Sequence, residues 1–292
     1  ARAGDLLEAV GALGGAAAMG LDMALHDLIA RRRGIAVAEL LGGARVPVAA
    51  SALLDGDVVA AATRAAAAGF RTVKIKAEPD VDATCALVRE VARAAPSVAL
   101  RIDANGGWDL ERTRRALELL DPARIAWLEQ PVPADDRAAL VAACREARAR
   151  GHRIAADECV RGPGDARSLA AGNGADVIVV KLVQVGGLAR ALATARAARD
   201  GGLDVVVTTG LESSLGSAAA LHLAAALAAR GEASLPAGIA TTDLLAADLA
   251  DAPLVAAPSM RPPDGPGLGI TLAPRWRARE GTAQETFLGG AA

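Results

Sequence analysis

The sequence predicts an α/β fold, a parallel (β/α)8 TIM-like barrel, and three observations predict it. Between residues 46 and 240, short Val- and Ile-rich runs alternate with longer Ala/Leu/Arg segments of helical periodicity. The runs begin about every 25 residues, the length of one strand, one helix and two short loops. Five consecutive runs end on an ionisable residue, and in such barrels the C-terminal strand ends share one rim. An open doubly wound sheet would advertise a glycine-rich phosphate loop after its first strand, and none is present.

Taken in order, the chain opens at Ala1 rather than Met on an Ala-rich stretch, so a segment is expected to precede it in the parent chain. Within residues 16 to 45, Leu21, Leu25, Leu28 and Ile29 fall on one helical face before "RRRG" ends the helix. That pattern predicts a helix outside the barrel and packed against it. The strand runs follow as VPVAASALL (46 to 54), TVKIK (72 to 76), VALRID (98 to 103), IAWLE (125 to 129), RIAAD (153 to 157), DVIVVK (176 to 181), LDVVVT (203 to 208) and LPAGIA (235 to 240). After residue 250, "RPPDGPGLGITLAP" predicts a turn and a short returning strand, not another barrel unit. The last ~15 residues are expected to be mobile.

Composition narrows the function. The chain has 292 residues, 52% of them apolar, with a net charge of −2, 2% aromatics and no tyrosine. Neither a basic stripe nor stacking platforms for nucleic acid are visible. No apolar run reaches the ~20 residues needed to cross a bilayer. Cys85, Cys144 and Cys159 are widely separated and outside any CxxC spacing, which fits free thiols in a reducing compartment and a cytoplasmic location. The Ala-rich helices offer surfaces for homo-oligomer formation.

The charged strand ends are Lys76, Asp103, Glu129, Asp157 and Lys181. One strand stopping at a polar residue only reaches water; five in ring order are a site. Three carboxylates converging at the mouth would raise one another's pKa unless a cation sat between them. An all-oxygen set favours Mg2+, with Mn2+ as substitute, over zinc. Asn105 and Glu158 stand beside these ligands as supporting groups. Lys74 and Lys76 share a face because side chains alternate along a strand. Lys76, the outer one, is the candidate base, and Lys74 tunes it or pairs with a carboxylate. An ammonium beside a metal ion is pushed toward the neutral amine that a base requires. His26, His152 and His222 lie at no strand end and read as structural. The stretch containing Thr208, Gly210, Glu212, Ser213 and Ser214 opens a helix whose backbone N–H groups suit a substrate carboxylate.

KIK, DAN, WLEQP, ADE and VVKLVQVGG, in this order, resemble the enolase superfamily over nearly all of residues 16 to 275. Enzymes of that superfamily pair a lysine or histidine base with Mg2+. The resemblance implies that Asp103, Glu129 and Asp157 bind Mg2+ and that Lys76 and Lys181 are the acid/base pair for abstraction of a proton alpha to a carboxylate through an enediolate. Two lysines without a strand-7 histidine point to the muconate-lactonizing branch. The tail, from "TTGLESSLGS" to "DGPGLG", is most like o-succinylbenzoate synthases, lyases of menaquinone biosynthesis. N-acylamino acid racemases, dipeptide epimerases and muconate cycloisomerases are the alternatives, with a Schiff-base aldolase and a non-catalytic binding protein more remote. By the same resemblance, residues 1–45 are the last helices of an N-terminal capping domain whose strand part is missing from this sequence, 46–250 the barrel, and 251–292 a segment returning toward the cap.

Overall fold

The computed structural model describes residues 15–276. Helix α1 (Gly15–Arg33) and the single turn α2 (Val37–Leu40) precede the first barrel strand, β1 (Val48–Leu53). Strand and helix then alternate as α3 (Val58–Ala67), β2 (Thr72–Lys76), α4 (Val81–Ala94), β3 (Ala99–Asp103), α5 (Leu110–Leu119), β4 (Ile125–Glu129), α6 (Arg137–Ala149) and β5 (Ile154–Ala156). The second half runs α7 (Pro163–Ala171), β6 (Val177–Lys181), the turn α8 (Leu182–Val185), α9 (Leu188–Asp200), β7 (Asp204–Thr208), α10 (Ser214–Ala229) and β8 (Ala237–Ala240). Strands β2 to β8 pair in sequence order, β8 pairs with β1, and β1 pairs back onto β2, all in parallel, so the barrel is closed. The expected returning strand is β9 (Ser259–Met260), antiparallel to β1.

Local chemistry starts the units where the pattern places them. Asp57, Asp80, Asp109 and Asp136 cap α3 to α6, each accepting a backbone N–H from the first turn. Such a cap satisfies one donor the helix cannot satisfy itself and contributes about 1 kcal/mol. Strand alternation divides the apolar residues into two cores. Ile75, Leu100, Ile102, Leu128, Ile178 and Val180 face the helices, whereas Trp127, Ala155, Val177, Val179 and Val206 form a separate buried cluster that fills the barrel. The site above therefore stands on a packed floor.

Helix α1 docks differently from its sequence pattern. Leu21, Leu28 and Ile29 are exposed, while Ala18, Met19, Asp22 and Ala30 are buried. The partners decide this. The Oδ2 atom of Asp22 accepts the Leu188 N–H at 2.5 Å, capping α9 from another part of the chain, and Asp27 Oδ1 accepts the Leu268 N–H at 2.7 Å. A buried donor left unpaired costs about 1–3 kcal/mol, so the face carrying the two carboxylates turns inward. Gly187 permits the approach: its φ is +116°, and a Cβ there would lie 2.6 Å from the Asp22 side chain. Helix α10 is apolar on all sides and buried almost throughout. Its His222 accepts the Ala38 N–H at Nδ1 and meets the Leu268 carbonyl at Nε2, both at 3.2 Å, which requires the neutral Nε2–H tautomer. No helix among the described residues is long and apolar enough to cross a membrane. The expected mobility of the C-terminal residues lies outside the described residues.

Candidate active site

Strand register assembles the site. Lys76 pairs with Asp103, and Asp103 with Glu129, as neighbours on three adjacent strands, so their side chains share one inward-facing rung. Two residues earlier, Lys74 pairs with Arg101 and Arg101 with Trp127, which makes a second rung directly beneath. Across the barrel, Lys181 pairs with Thr208 and Thr208 with Gly238. The period of two that keeps a strand's face constant thus stacks one charged layer upon another.

Asp157 differs from the expected strand-ending residue: β5 stops at Ala156, and Asp157 follows it. Its place is fixed by Gln130, whose Oε1 accepts the Asp157 N–H at 3.0 Å while its Nε2 donates to the Val132 carbonyl at 2.9 Å. Gln130 is buried and has a φ of +35°, a conformation that costs a non-glycine residue energy and is held by those bonds. Asn105, also left-handed at φ +45°, links three groups. Its N–H donates to Asp103 Oδ1 at 3.0 Å, its Oδ1 accepts from Lys76 at 2.8 Å, and its Nδ2 donates to Glu158 at 2.8 Å. The structure therefore brings together both residues expected to flank the ligands.

Each lysine answers a carboxylate. Lys74 lies 2.7 Å from Asp103 and 2.6 Å from Glu129, Lys76 lies 2.7 Å from Asp103, and Lys181 bonds to Asp157. The Lys76 side chain is 50% exposed against 16% for Lys74, which separates an accessible amine from an enclosed one. Burial alone would lower the pKa of Lys74, but Glu129 and Asp103 outweigh it and raise it. Lys181 is raised in the same way, burial being overcome by Asp157. The carboxylates do not all shift upward as mutual repulsion implied. Burial pushes Asp103 up, yet Lys74 and Lys76 hold it below its ordinary value. Asp157 does rise, to about 7, through burial and then the charge of Glu129, against the pull of Lys181.

One oxygen or more from each of Asp103, Glu129 and Asp157 lies within 4.8 Å of the others, close enough for one cation. All three residues are buried, and Asp157 Oδ1 has no hydrogen-bond partner. Three carboxylates with an unfilled acceptor fit a hard divalent ion. Lys74, Lys76, Lys181 and Glu129 line a cavity of about 510 Å³, whose wall is completed by Ser51, Leu53, Thr208, Gly210, Leu211 and Thr241. That size suits a small molecule.

Thr208 and Gly210 reach the cavity as the sequence suggested, but Glu212, Ser213 and Ser214 do not line it. Both the N–H and the hydroxyl of Ser214 donate to Asp248, so that donor is already committed. Glu212 turns back to accept the Gly210 N–H at 3.3 Å. Sequence reasoning missed Arg101, Trp127 and Gln130. The first two carried a signal, since each stands two residues before a candidate metal ligand on the same strand face.

Residues 57–276 match the family described as enolase C-terminal domain-like. An L-Lys-D/L-Arg epimerase of Methylococcus capsulatus is 34% identical over 87% of this chain and 72% of its own length. An o-succinylbenzoate synthase of Thermobifida fusca is 37% identical over 72% of this chain, which spans 64% of that relative. Among solved structures, a dipeptide epimerase of Enterococcus faecalis in complex with Mg and L-Leu-L-Tyr superposes with a TM-score of 0.81 at 28% identity, covering 88% of this chain and 73% of that one.

Proposed function

Because the chain belongs to the enolase C-terminal domain-like family, whose relatives here are enzymes, we propose that it performs Mg2+-dependent proton abstraction alpha to a carboxylate, acting as an o-succinylbenzoate synthase. The observation that carries the chemistry is the rung Lys76–Asp103–Glu129 facing Lys181 across one cavity. Asp103, Glu129 and Asp157 would hold Mg2+, with Mn2+ as substitute. When bound, the ion would polarise the substrate carboxylate and offset the charge that develops on it.

Lys76 takes the alpha proton: it is the most exposed of the three lysines and lines the cavity, and Asn105 accepts a hydrogen bond from its amine at 2.8 Å. The bond from that carbon to hydrogen breaks, the electron pair forms the new double bond, and the neighbouring hydroxyl departs with the proton from Lys76 as water. Lys181 stays protonated on the other side and stabilises the electron-rich ring through its charge. Lys74, enclosed by Asp103 and Glu129, holds those carboxylates in place and does not exchange protons with substrate. Leu53, Leu54, Leu211 and Leu244 give the mouth an apolar lining suited to a carbocyclic substrate. The end of β8 supports dehydration over dipeptide epimerisation, because "GIATTDLL" has no Asp-x-Asp pair and presents Gly238 and Thr241 to the cavity.

Dipeptide or N-acylamino acid epimerisation is the second reading, favoured by the L-Lys-D/L-Arg epimerase, which aligns with more of the chain than the synthase does. The test is an assay of the purified protein with Mg2+ on the hydroxycyclohexadiene carboxylate precursor of o-succinylbenzoate, beside N-succinylamino acids and Lys/Arg dipeptides. Dehydration that is abolished by EDTA and restored by Mg2+ is expected. Rapid epimerisation without dehydration would replace the first reading with the second.

A further inference from the structure

The rung beneath the carboxylates contains a stacked pair that the chemistry above does not use. The Arg101 guanidinium lies 3.9 Å over the Trp127 ring, both residues are almost fully buried, and the Trp127 indole N–H donates to Glu129 Oε2 at 3.2 Å. Arg101 is anchored in turn by a 2.7 Å bond from its Nη2 to the Pro236 carbonyl, just before β8 on another wall of the barrel. We propose that Trp127 and Arg101 are positioning residues that fix the Glu129 carboxylate for cation binding, an inference that rests on the metal reading of this site.

The argument lies in what holds each oxygen. Oε1 is bonded by Lys74, whose flexible chain can withdraw, whereas Oε2 is bonded by an indole wedged among Ala155, Val177 and Val206. The rigid partner occupies one oxygen and leaves the other as the atom to face a cation, which fixes the rotation of the carboxylate. A cation above the indole face draws electron density from the ring and makes its N–H a stronger donor. Partners of this kind around a ligand typically change metal affinity about 10–100-fold. If the pair merely filled the barrel, neither the N–H nor the guanidinium charge would matter to the metal.

Titration calorimetry of the substrate-free protein with Mg2+ and with Mn2+ tests this. Trp127→Phe keeps most of the ring and removes the donor, and its Kd is expected to rise about tenfold. Arg101→Met separates positioning from simple electrostatics: removing a nearby positive charge would by itself tighten cation binding, whereas loss of the stack is expected to weaken it. A Kd for Trp127→Phe within twofold of the parent, or tighter binding by Arg101→Met, overturns the proposal. Absence of binding by the unsubstituted protein would instead sink the metal reading, and this inference with it. Should the variants fail to fold, the unsubstituted protein labelled with 15N at the indoles answers the same question. Mg2+ is expected to shift the Trp127 N–H resonance more than that of Trp108, which donates to the Glu78 carbonyl; an unmoved Trp127 resonance overturns the proposal.

Discussion

On the proposed function, the two lysines of one strand face take different tasks, because a position two residues deeper is a different environment. Lys76 is half-exposed and tied to one carboxylate and one amide, while Lys74 is enclosed between two carboxylates. Lys76→Ala is expected to lower the rate of dehydration about 10²–10⁴-fold, the range for loss of an acid/base group. Its melting temperature should barely move. Lys74→Met leaves two buried carboxylates without their shared cation, a change that costs about 3–5 kcal/mol in buried pairs, so its main effects are a lower melting temperature and altered metal affinity. Equal losses of turnover in the two variants would show that the tasks are not divided. The sequence revealed the five charges because each interrupts an apolar run, although Asp157 falls one residue beyond its strand. It could not reveal that Gln130 holds Asp157, since that depends on a side chain reaching the backbone of the next strand.

Helix α10 illustrates how an element far from the chemistry acquires a pH dependence. His222 bonds on both ring nitrogens, and burial pushes its pKa down to about 4, with the bond to Leu268 only partly opposing this. An unfolded chain protonates this ring near pH 6.5, so the neutral ring favours the fold above that pH, and the stabilisation is lost as pH falls toward 4. At pH 5 the loss is about 2 kcal/mol. His222→Gln is expected to narrow the difference in urea-unfolding free energy between pH 7.5 and pH 5 by about that amount. An unchanged difference would mean that another group governs the acid sensitivity. Helix α1 marks the limit of reading elements from pattern. The face of Leu21, Leu28 and Ile29 predicts contact, yet the helix turns Asp22 and Asp27 inward because α9 and the C-terminal return offer backbone donors there. Apolar periodicity says nothing of donors on segments 166 and 241 residues away.

For the whole molecule, barrel closure converts three separate motifs into one cluster of carboxylates. Eight recurring runs made the closed topology legible, since the order of the strands follows from their number and spacing. In the cavity wall, Thr208 and Gly210 were legible at the end of the seventh run, whereas Thr241 was not, because it lies in the loop that follows β8. A cation bound only by the folded cluster stabilises the entire domain by mass action, about 2.7 kcal/mol at a hundredfold excess over Kd. Thermal unfolding is therefore expected to move upward by several degrees on addition of Mg2+ and return with EDTA. Asp103→Asn should respond far less, and an equal response from this variant would place the binding elsewhere. The anchoring of α1 also sets an order of events during synthesis. Asp22 must wait for residue 188 and Asp27 for residue 268, so the helix emerges from the ribosome long before its docking partners exist. It is a latch closed late, and until then the Asp22 and Asp27 carboxylates keep water in place of the two backbone donors.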